Sequence, residues 1–572
     1  MAGPKAPRDP EKRRQGFYIM RNKQISGSAQ PDGTGVQFIY LNDGRMISGA
    51  RIVGNISDDA MLGLLSTAEG FRRLVHSIGV SVEMDDADRK AAFVFQMYGR
   101  SDLYGSGTTL RMEVPADGME YVLNLSACDW SDDDDIPGQI RFVFDEPQKD
   151  GEAAQALATV KFYLNDGFTA PEPEEEEAVD FACAAYQEML RRSLVQTGNN
   201  ARLKAAIERA KRGEDTTIAF IGGSITQGAG AVPINTKCYA WQTFEGLCRL
   251  AGKNVDENLH YIKAGVGGTP SELGMIRYER DVCREGAVTP DIVVVEFAVN
   301  DEGDETKGVC YESLVRKILA AKNRPAVILL FAVFANDWNL QERLGVVGEQ
   351  YHLPMVSTRD CVVEQFYRKA GGGRVVTKNQ FFYDCFHPTN IGHKIMADGL
   401  LYLMQAVDES PMDEDTLDLA AVPAVIGDAF EKVWLCDRNS ASDAVRILSP
   451  GDFAETDDEL QGVEMDRELT QTKEFPYNWK HVKGAEPFVM EVCCTSLVMV
   501  HKDSGAPNAG CAQVFVDGEM VLSADPKING WTHCNPLICF QGRERRTWRV
   551  EVRMQPGDEE KEFTILGFGV VS

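Results

Sequence analysis

Four short segments carry side chains that could together activate a hydroxyl and hold a developing negative charge. Gly222-Gly223-Ser224-Ile225-Thr226-Gln227-Gly228 sets a hydroxyl beside paired glycines. Glycines let the chain turn sharply and let a ligand approach the backbone. The segment is not a GxSxG elbow, because Thr226 stands where the last glycine belongs. Ala264-Gly265-Val266-Gly267-Gly268-Thr269-Pro270-Ser271 is a glycine-rich loop at the start of a helical pattern, able to offer backbone N–H groups to an anionic oxygen. No Gly-Lys-Ser/Thr follows and the GxGxxG spacing is absent, which argues against a phosphate loop. In Glu296-Phe297-Ala298-Val299-Asn300-Asp301, Asn300 could donate its side-chain amide into a pocket. In Asp384-Cys385-Phe386-His387-Pro388, the carboxylate three residues before the imidazole could take the Nδ1 proton and leave Nε2 as a base. Each segment alone reads equally well as a turn. His393 follows in a His-x5-His spacing that does not match the i, i+4 pairing of helical metal ligands, so a structural use is expected.

These loops need a scaffold that brings them together. Each follows a strand-like run. The runs are Thr217-Ile218-Ala219-Phe220-Ile221, Leu259-His260-Tyr261-Ile262, Ile292-Val293-Val294-Val295, Ala326-Val327-Ile328-Leu329-Leu330-Phe331 and the weaker Pro354-Met355-Val356-Ser357. Helical patterns lie between them. One is Asn200 to Arg212, with Leu203, Ala206, Ile207 and Ala210 on one face and Gly213 at the C-cap. Continuous apolar strands alternating with helices predict a parallel sheet covered on both faces. Such sheets carry their sites at the carboxyl ends of the strands.

A chain of 572 residues exceeds a single core and suggests three or four domains. Residues 1–170 show short alternating runs such as 37–40, 109–114 and 139–144, divided by turn signals at Asn42-Asp43-Gly44 and Ala116-Asp117-Gly118. This predicts an antiparallel β-sandwich. Leu62 to Val75 is expected to form one helix within it. Residues 171–178 form a Pro- and Glu-rich stretch, read as a solvated linker. The α/β region spans 179–410. From 421 to 572 strand signals return, at 488–492, 513–516 and 548–552, and predict a second β-sandwich.

The formal net charge of -28 works against nucleic-acid backbones and anionic lipid surfaces. No run approaches a membrane span, and the first residues hold no apolar core of a secretory signal. The 14 cysteines show no framework spacing and no CxxC pair, and the adjacent Cys493-Cys494 is poorly placed for mutual bridging. Reduced thiols, no structural zinc and a cytoplasmic location are therefore expected.

Taken in order, Ser224, Gly268, Asn300 and His387 match the four blocks that name the SGNH hydrolases, and over roughly residues 215–405 the chain resembles that superfamily of GDSL-type esterases and lipases. Two positions depart from its pattern: Gly223 replaces the Asp before the serine, and Lys263 stands where Asn is frequent. The resemblance implies a flavodoxin-like three-layer α/β/α domain, here flanked by jelly-roll-like sandwiches. It also implies Ser224 as nucleophile with Asp384 and His387 as acid–base partners. The oxyanion hole would be made by the Ser224 and Gly268 N–H groups and the Asn300 amide, with Gly265 as the alternative glycine. No metal or organic cofactor is required.

The form of the blocks (GGSITQG, GVGGTPS, EFAVND) looks like the carbohydrate-esterase branch. The expected substrate is an O-acetylated oligo- or polysaccharide. A short-chain lipid esterase or thioesterase, and a non-catalytic glycan-binding protein, are the alternatives. A homo-oligomer is compatible with the sequence. Tyr239, Trp241 and Trp338 are near the motifs and could stack on sugar, or else pack in the core; Trp479, Trp531 and Trp548 stand in the same position in the last region.

Overall fold

The structure is a computed structural model of the chain, and it describes residues 5–145, 154–467 and 471–572. Its centre is a six-stranded sheet. The strands are β1 (Leu194–Gln196), β2 (Thr216–Gly222), β3 (Leu259–Gly265), β4 (Ile292–Glu296), β5 (Ala326–Phe331) and β6 (Met355–Ser357). Their order across the sheet is β1-β6-β5-β4-β2-β3. All neighbours are parallel except the short edge strand β1, which runs antiparallel to β6. Every residue of β2, β4, β5 and β6 is buried, as the unbroken apolar runs require.

Alternate side chains of β2 leave the sheet on opposite sides. Ile218 and Phe220 enter a cluster with Leu203, Ile207, Phe244, Leu247 and Leu400, carried by the helices Ala201–Lys211, Tyr239–Ala251 and Asn390–Glu409. Ala219 and Ile221 enter a second cluster with Leu273, Ile276, Leu314 and Leu344 from helices Ser271–Asp281, Val309–Leu319 and Gln341–Gln350. That second cluster runs on into Val498, Val500, Cys534, Leu566 and Val571, so the C-terminal region shares the core of the central one. The helix Ala201–Lys211 ends at Gly213, which takes φ +76°, as its C-terminal position demands.

Each flank holds two antiparallel sheets around one apolar cluster. In the N-terminal flank Gly16–Ser26, Gln155–Leu164, Val75–Glu83 and Tyr121–Asn124 form one sheet. Ser28–Ala29, Gly35–Tyr40, Asp134–Phe144, Lys90–Gly99 and Thr109–Pro115 form the other. Phe71, Phe93, Phe95, Phe142 and Phe162 meet between them. In the C-terminal flank Phe563–Val571, buried at every position, pairs with Ser496–Asp503 and Val433–Cys436, and Phe488–Cys494 pairs with Arg546–Met554 in the opposite sheet.

Two local expectations change. Residues 62–75 are not one helix but two, Asp59–Leu64 and Ala68–Leu74, with Val75 already in a strand. The break falls at Thr67, whose extended backbone lets its hydroxyl cap the second helix by accepting the Gly70 N–H. The acidic stretch is not solvated throughout either. Glu176 accepts hydrogen bonds from Thr377 Oγ1 at 2.5 Å and Asn379 Nδ2 at 2.9 Å, and Arg374 donates to the Glu175 carbonyl at 2.6 Å. Like charges that repel in an isolated chain are here drawn onto a surface rich in donors.

Arg277, fully buried on the helix Ser271–Asp281, ties the carboxyl ends of two strands together. Its guanidinium donates to the carbonyls of Gly222 at 2.8 Å and Ala264 at 2.7 Å, and pairs with Asp281 at 3.2 Å. Breaking a buried pair by removing one partner costs about 3–5 kcal/mol. Arg277→Met is expected to destabilise the chain by that order, read as a lowered urea midpoint; an unchanged midpoint would refute the role given to it.

Candidate active site

The order of the strands decides where a site can form. β2 lies between β3 and β4, so the loops leaving their carboxyl ends emerge side by side. Ser224 opens a one-turn helix (Ser224–Gln227) directly after β2, and a helix's first N–H has no partner within the helix. Beside it, Asn300 follows β4. A Cβ built on Gly223 would lie 2.3 Å from Asn300 Oδ1 and 2.7 Å from its Nδ2. A side chain at 223 would therefore require the Asn300 amide to move from where it packs against the serine turn. Among the described residues Asn300 Oδ1 accepts no hydrogen bond although it is buried, and Nδ2 donates to none.

On the other side the loop after β3 closes with the Thr269 N–H donating to the Val266 carbonyl at 3.3 Å. Gly268, third in that turn, has φ +74°, a conformation that favours glycine. Gly268 is exposed at the rim, whereas Gly265 is buried in the ladder opposite Gly222. The loop is held from several directions. Gln227 Oε1 accepts the Gly267 N–H at 2.9 Å, Gln461 Nε2 donates to the Gly267 carbonyl at 2.8 Å, and His533 Nε2 donates to the Gly268 carbonyl at 3.0 Å. Burial lowers the His533 pKa, which suits a neutral ring donating from Nε2 while Asn529 Nδ2 donates to its Nδ1 at 3.3 Å.

His387 reaches this rim from a loop far along the chain. Its Nε2 lies 2.9 Å from Ser224 Oγ. Its Nδ1 lies 3.0 and 2.9 Å from the two oxygens of Asp384. Asp384 Oδ1 also accepts the backbone N–H groups of Phe386 and His387, each at 2.8 Å, which locks the turn between the two side chains. Burial alone would raise the Asp384 carboxyl. The His387 ring and the Arg45 guanidinium, with the Phe386 N–H, outweigh it and hold the group well below the usual carboxylate range. Arg45, from the N-terminal flank, places Nε 2.8 Å from Asp384 Oδ2.

Lys263, at the second departure, is buried in β3 and donates from Nζ to the Gln227 carbonyl at 2.9 Å and to Asn235 Oδ1 at 3.2 Å. It anchors the segment that follows the serine turn. His393 is likewise structural. Its Nδ1 accepts the Tyr239 N–H at 3.2 Å, its Nε2 donates to the Ala229 carbonyl at 3.0 Å, and burial lowers its pKa to about 4.

The aromatic candidates divide. Tyr239 and Trp241 do not offer a face to a sugar. Tyr239 is fully buried, edge-on to Phe220 and stacked with His393, and Trp241 packs on Phe244 and Tyr261 under the Arg467 guanidinium. Their helix turns that face inward, which residue type alone does not disclose. Trp338 is half-buried and joins Phe334, which in turn meets Phe386 beside His387. Trp479 and Trp548 are core residues of the C-terminal flank, whereas Trp531 is 46% exposed. Trp531 packs on His533, and a Cβ built on Gly268 would lie 2.9 Å from its Cζ2, so this ring stands at the site. Arg45, Gln461 and His533 carried no signal in the sequence, because nothing in their neighbourhood marks a contact hundreds of residues away. Among the described residues no group of three or more His, Cys, Asp or Glu side chains is placed to hold a metal ion, and no helix is long and apolar enough to cross a membrane.

Beneath the serine turn lies a buried polar pair. Thr226 Oγ1 is 2.8 Å from Tyr239 Oη and donates to Glu296 Oε2 at 3.2 Å. Burial pushes the Glu296 carboxyl up to about 8, against the pull of the Thr226 hydroxyl. A carboxyl raised in the folded state stabilises the fold most below its unfolded pKa, and that contribution is lost as pH rises toward the folded value. Glu296→Gln removes the titration and keeps the shape. The melting temperature of this variant relative to the parent is expected to rise between pH 5 and pH 8; a difference that stays flat would show Glu296 to be ionised in the fold.

Comparison with known proteins fits this geometry. Residues 220–395 match the GDSL-like lipase/acylhydrolase family. A comparison with curated proteins gives no match. Among solved structures, a two-domain esterase (CEX) active on acetylated mannans is 26% identical with a TM-score of 0.56; the match covers 67% of this chain and 99% of that one. The same esterase co-crystallised with mannopentaose matches with the same identity and TM-score, over 67% of this chain and 98% of that one. Over residues 220–395 the chain is thus similar to the GDSL-like lipase/acylhydrolase family, and the protein is a carboxylic ester hydrolase of the carbohydrate-esterase type.

Proposed function

We propose that the protein removes O-acetyl groups from a mannan-type oligo- or polysaccharide through a Ser224-His387-Asp384 triad and an acyl-enzyme. The observation that carries the mechanism is the unbroken chain from Ser224 Oγ through both His387 nitrogens to Asp384, with each link at 2.9–3.0 Å. The substrate class rests on likeness to the esterase active on acetylated mannans. The parallel strands β3-β2-β4-β5-β6, second-first-third-fourth-fifth in chain order, support a flavodoxin-like central domain. The paired antiparallel sheets support sandwich flanks on either side of it.

In this reading His387 Nε2 accepts the Ser224 proton as the oxygen attacks the acetyl carbonyl. Asp384 holds Nδ1–H and stabilises the imidazolium that forms. The tetrahedral oxyanion meets the N–H groups of Ser224 and Gly268 and the Asn300 amide, the kind of fixed donors that stabilise such a charge. His387 then gives the proton to the leaving sugar hydroxyl. Water repeats the sequence on the acetyl-serine and releases acetate. Trp531, exposed beside Gly268, offers a face on which a pyranose ring could stack.

The decisive test is acetate release from acetylated mannan and from p-nitrophenyl acetate. Ser224→Ala is expected to lower kcat by at least about 10⁴-fold on both; retained activity would overturn the mechanism. Preference for octanoyl over acetyl esters would overturn the substrate class. Asn300→Ala is expected to cost about 10²–10³ in kcat, the usual loss for one oxyanion donor. Gly223→Ala should approach the same loss by displacing the Asn300 amide, with circular dichroism unchanged.

A further inference from the structure

The N-terminal flank does not merely adjoin the hydrolase domain: it grips the loop that carries the acid–base pair. Lys23, 2% exposed, donates from Nζ to the carbonyls of Asn379 and Phe382, the latter at 2.7 Å. Arg45 reaches the Asp384 carboxylate itself, at 2.8 Å, with side-chain exposures of 23% and 7%. The other arm of Arg45 pairs with Asp43, two residues before it. The flank thus brings a cation to the one carboxylate oxygen that accepts no backbone N–H, since the Phe386 and His387 N–H groups both go to Oδ1.

The position of Arg45 in its own helix argues that this contact is not incidental to local folding. Arg45 is the first residue of the helix Arg45–Ile52, whose first turn holds no acidic residue. A cation there opposes the helix dipole, which favours acids at the N-terminus and bases at the C-terminus. The helix dipole does not ask for arginine at 45, whose partners are the neighbouring Asp43 and the carboxylate across the interface. The fixed planar fork of a guanidinium is suited to orienting a carboxylate, as a lysine is not.

We propose that Arg45 is a positioning residue for the reaction: by holding Asp384 Oδ2 it sets the plane of the carboxylate that in turn orients His387 toward Ser224, so that the N-terminal flank completes the active centre. The inference rests on the triad reading above. The charged and titratable groups around Asp384 are Arg45, Asp43 and Lys23 from the flank, and His387, Tyr383 and Cys385 from its own loop. Of these, Arg45 and His387 touch the carboxylate through their side chains.

The test uses the full chain with p-nitrophenyl acetate, a substrate too small to need a glycan-binding surface on the flank. Arg45→Ala is expected to lower kcat by about 10–100-fold, the size seen when a group orienting a functional ligand is removed, with KM within twofold and the melting curve retained. Added guanidinium chloride at millimolar concentration should restore part of the lost kcat, and ammonium chloride should not. Arg45→Lys keeps a cation and guards against misfolding; it should fall between the parent and Arg45→Ala. Full activity in Arg45→Ala, or a loss that guanidinium does not relieve, overturns the positioning role. Ser224→Ala, run beside it, separates the two claims: if Ser224→Ala is dead while Arg45→Ala is fully active, the triad stands and the inference falls, and an active Ser224→Ala removes both.

Discussion

Ser224 and His387 lie 163 residues apart in the chain, and the 2.9 Å hydrogen bond between them exists only because three separate parts of the structure agree on one place. A serine hydroxyl is a weak nucleophile unless a base stands at hydrogen-bond distance. The sheet supplies the first requirement, by setting β2 between β3 and β4 so that the serine turn, the glycine loop and Asn300 share one rim. Arg277 fixes that rim from below, through the Gly222 and Ala264 carbonyls. The loop 379–388 supplies the second, and the two flanks the third.

The flanks divide that work between them. The N-terminal one holds the acid–base loop through Lys23 and Arg45. The C-terminal one holds the glycine loop through Gln461 and His533 and sets Trp531 beside it. The acid–base loop and the glycine loop are therefore each held by side chains from a flank. Such preorganisation matters because electrostatic stabilisation of a transition state is worth most when no group has to move.

The interior around the site is unusually acidic. Glu296, Asp301 and Glu272 are buried at and beside it with pKa values raised to about 8, 7 and 9, in each case chiefly by burial. Asp384, whose side chain is 7% exposed, is driven the other way by the His387 ring and the Arg45 guanidinium. Similar chemistry is thus split by environment: burial dominates at Glu296, Asp301 and Glu272 and pushes them toward the neutral form, whereas at Asp384 the contacts with His387, Arg45 and the Phe386 N–H outweigh it.

Much of this was legible in order along the chain. The apolar runs ending near 221, 295 and 331 mark buried strands whatever the rest of the chain does, because a segment apolar on both faces can only be covered on both. Gly213, Gly268 and the Asp384-to-His387 spacing could be read for the same reason: they express constraints within a few residues. The faces of Tyr239 and Trp241 could not, since an aromatic ring satisfies a core and a sugar site equally well. The break at Thr67 was hidden because one cap outweighs a helical pattern. What the sequence by itself determined is the set of groups able to do chemistry and the strands that end beside them. Only the tertiary structure decided which distant cations and amides, Arg45, Lys23, Gln461 and His533, orient them, because a contact between residues hundreds of positions apart leaves no periodicity and no spacing in either partner's neighbourhood.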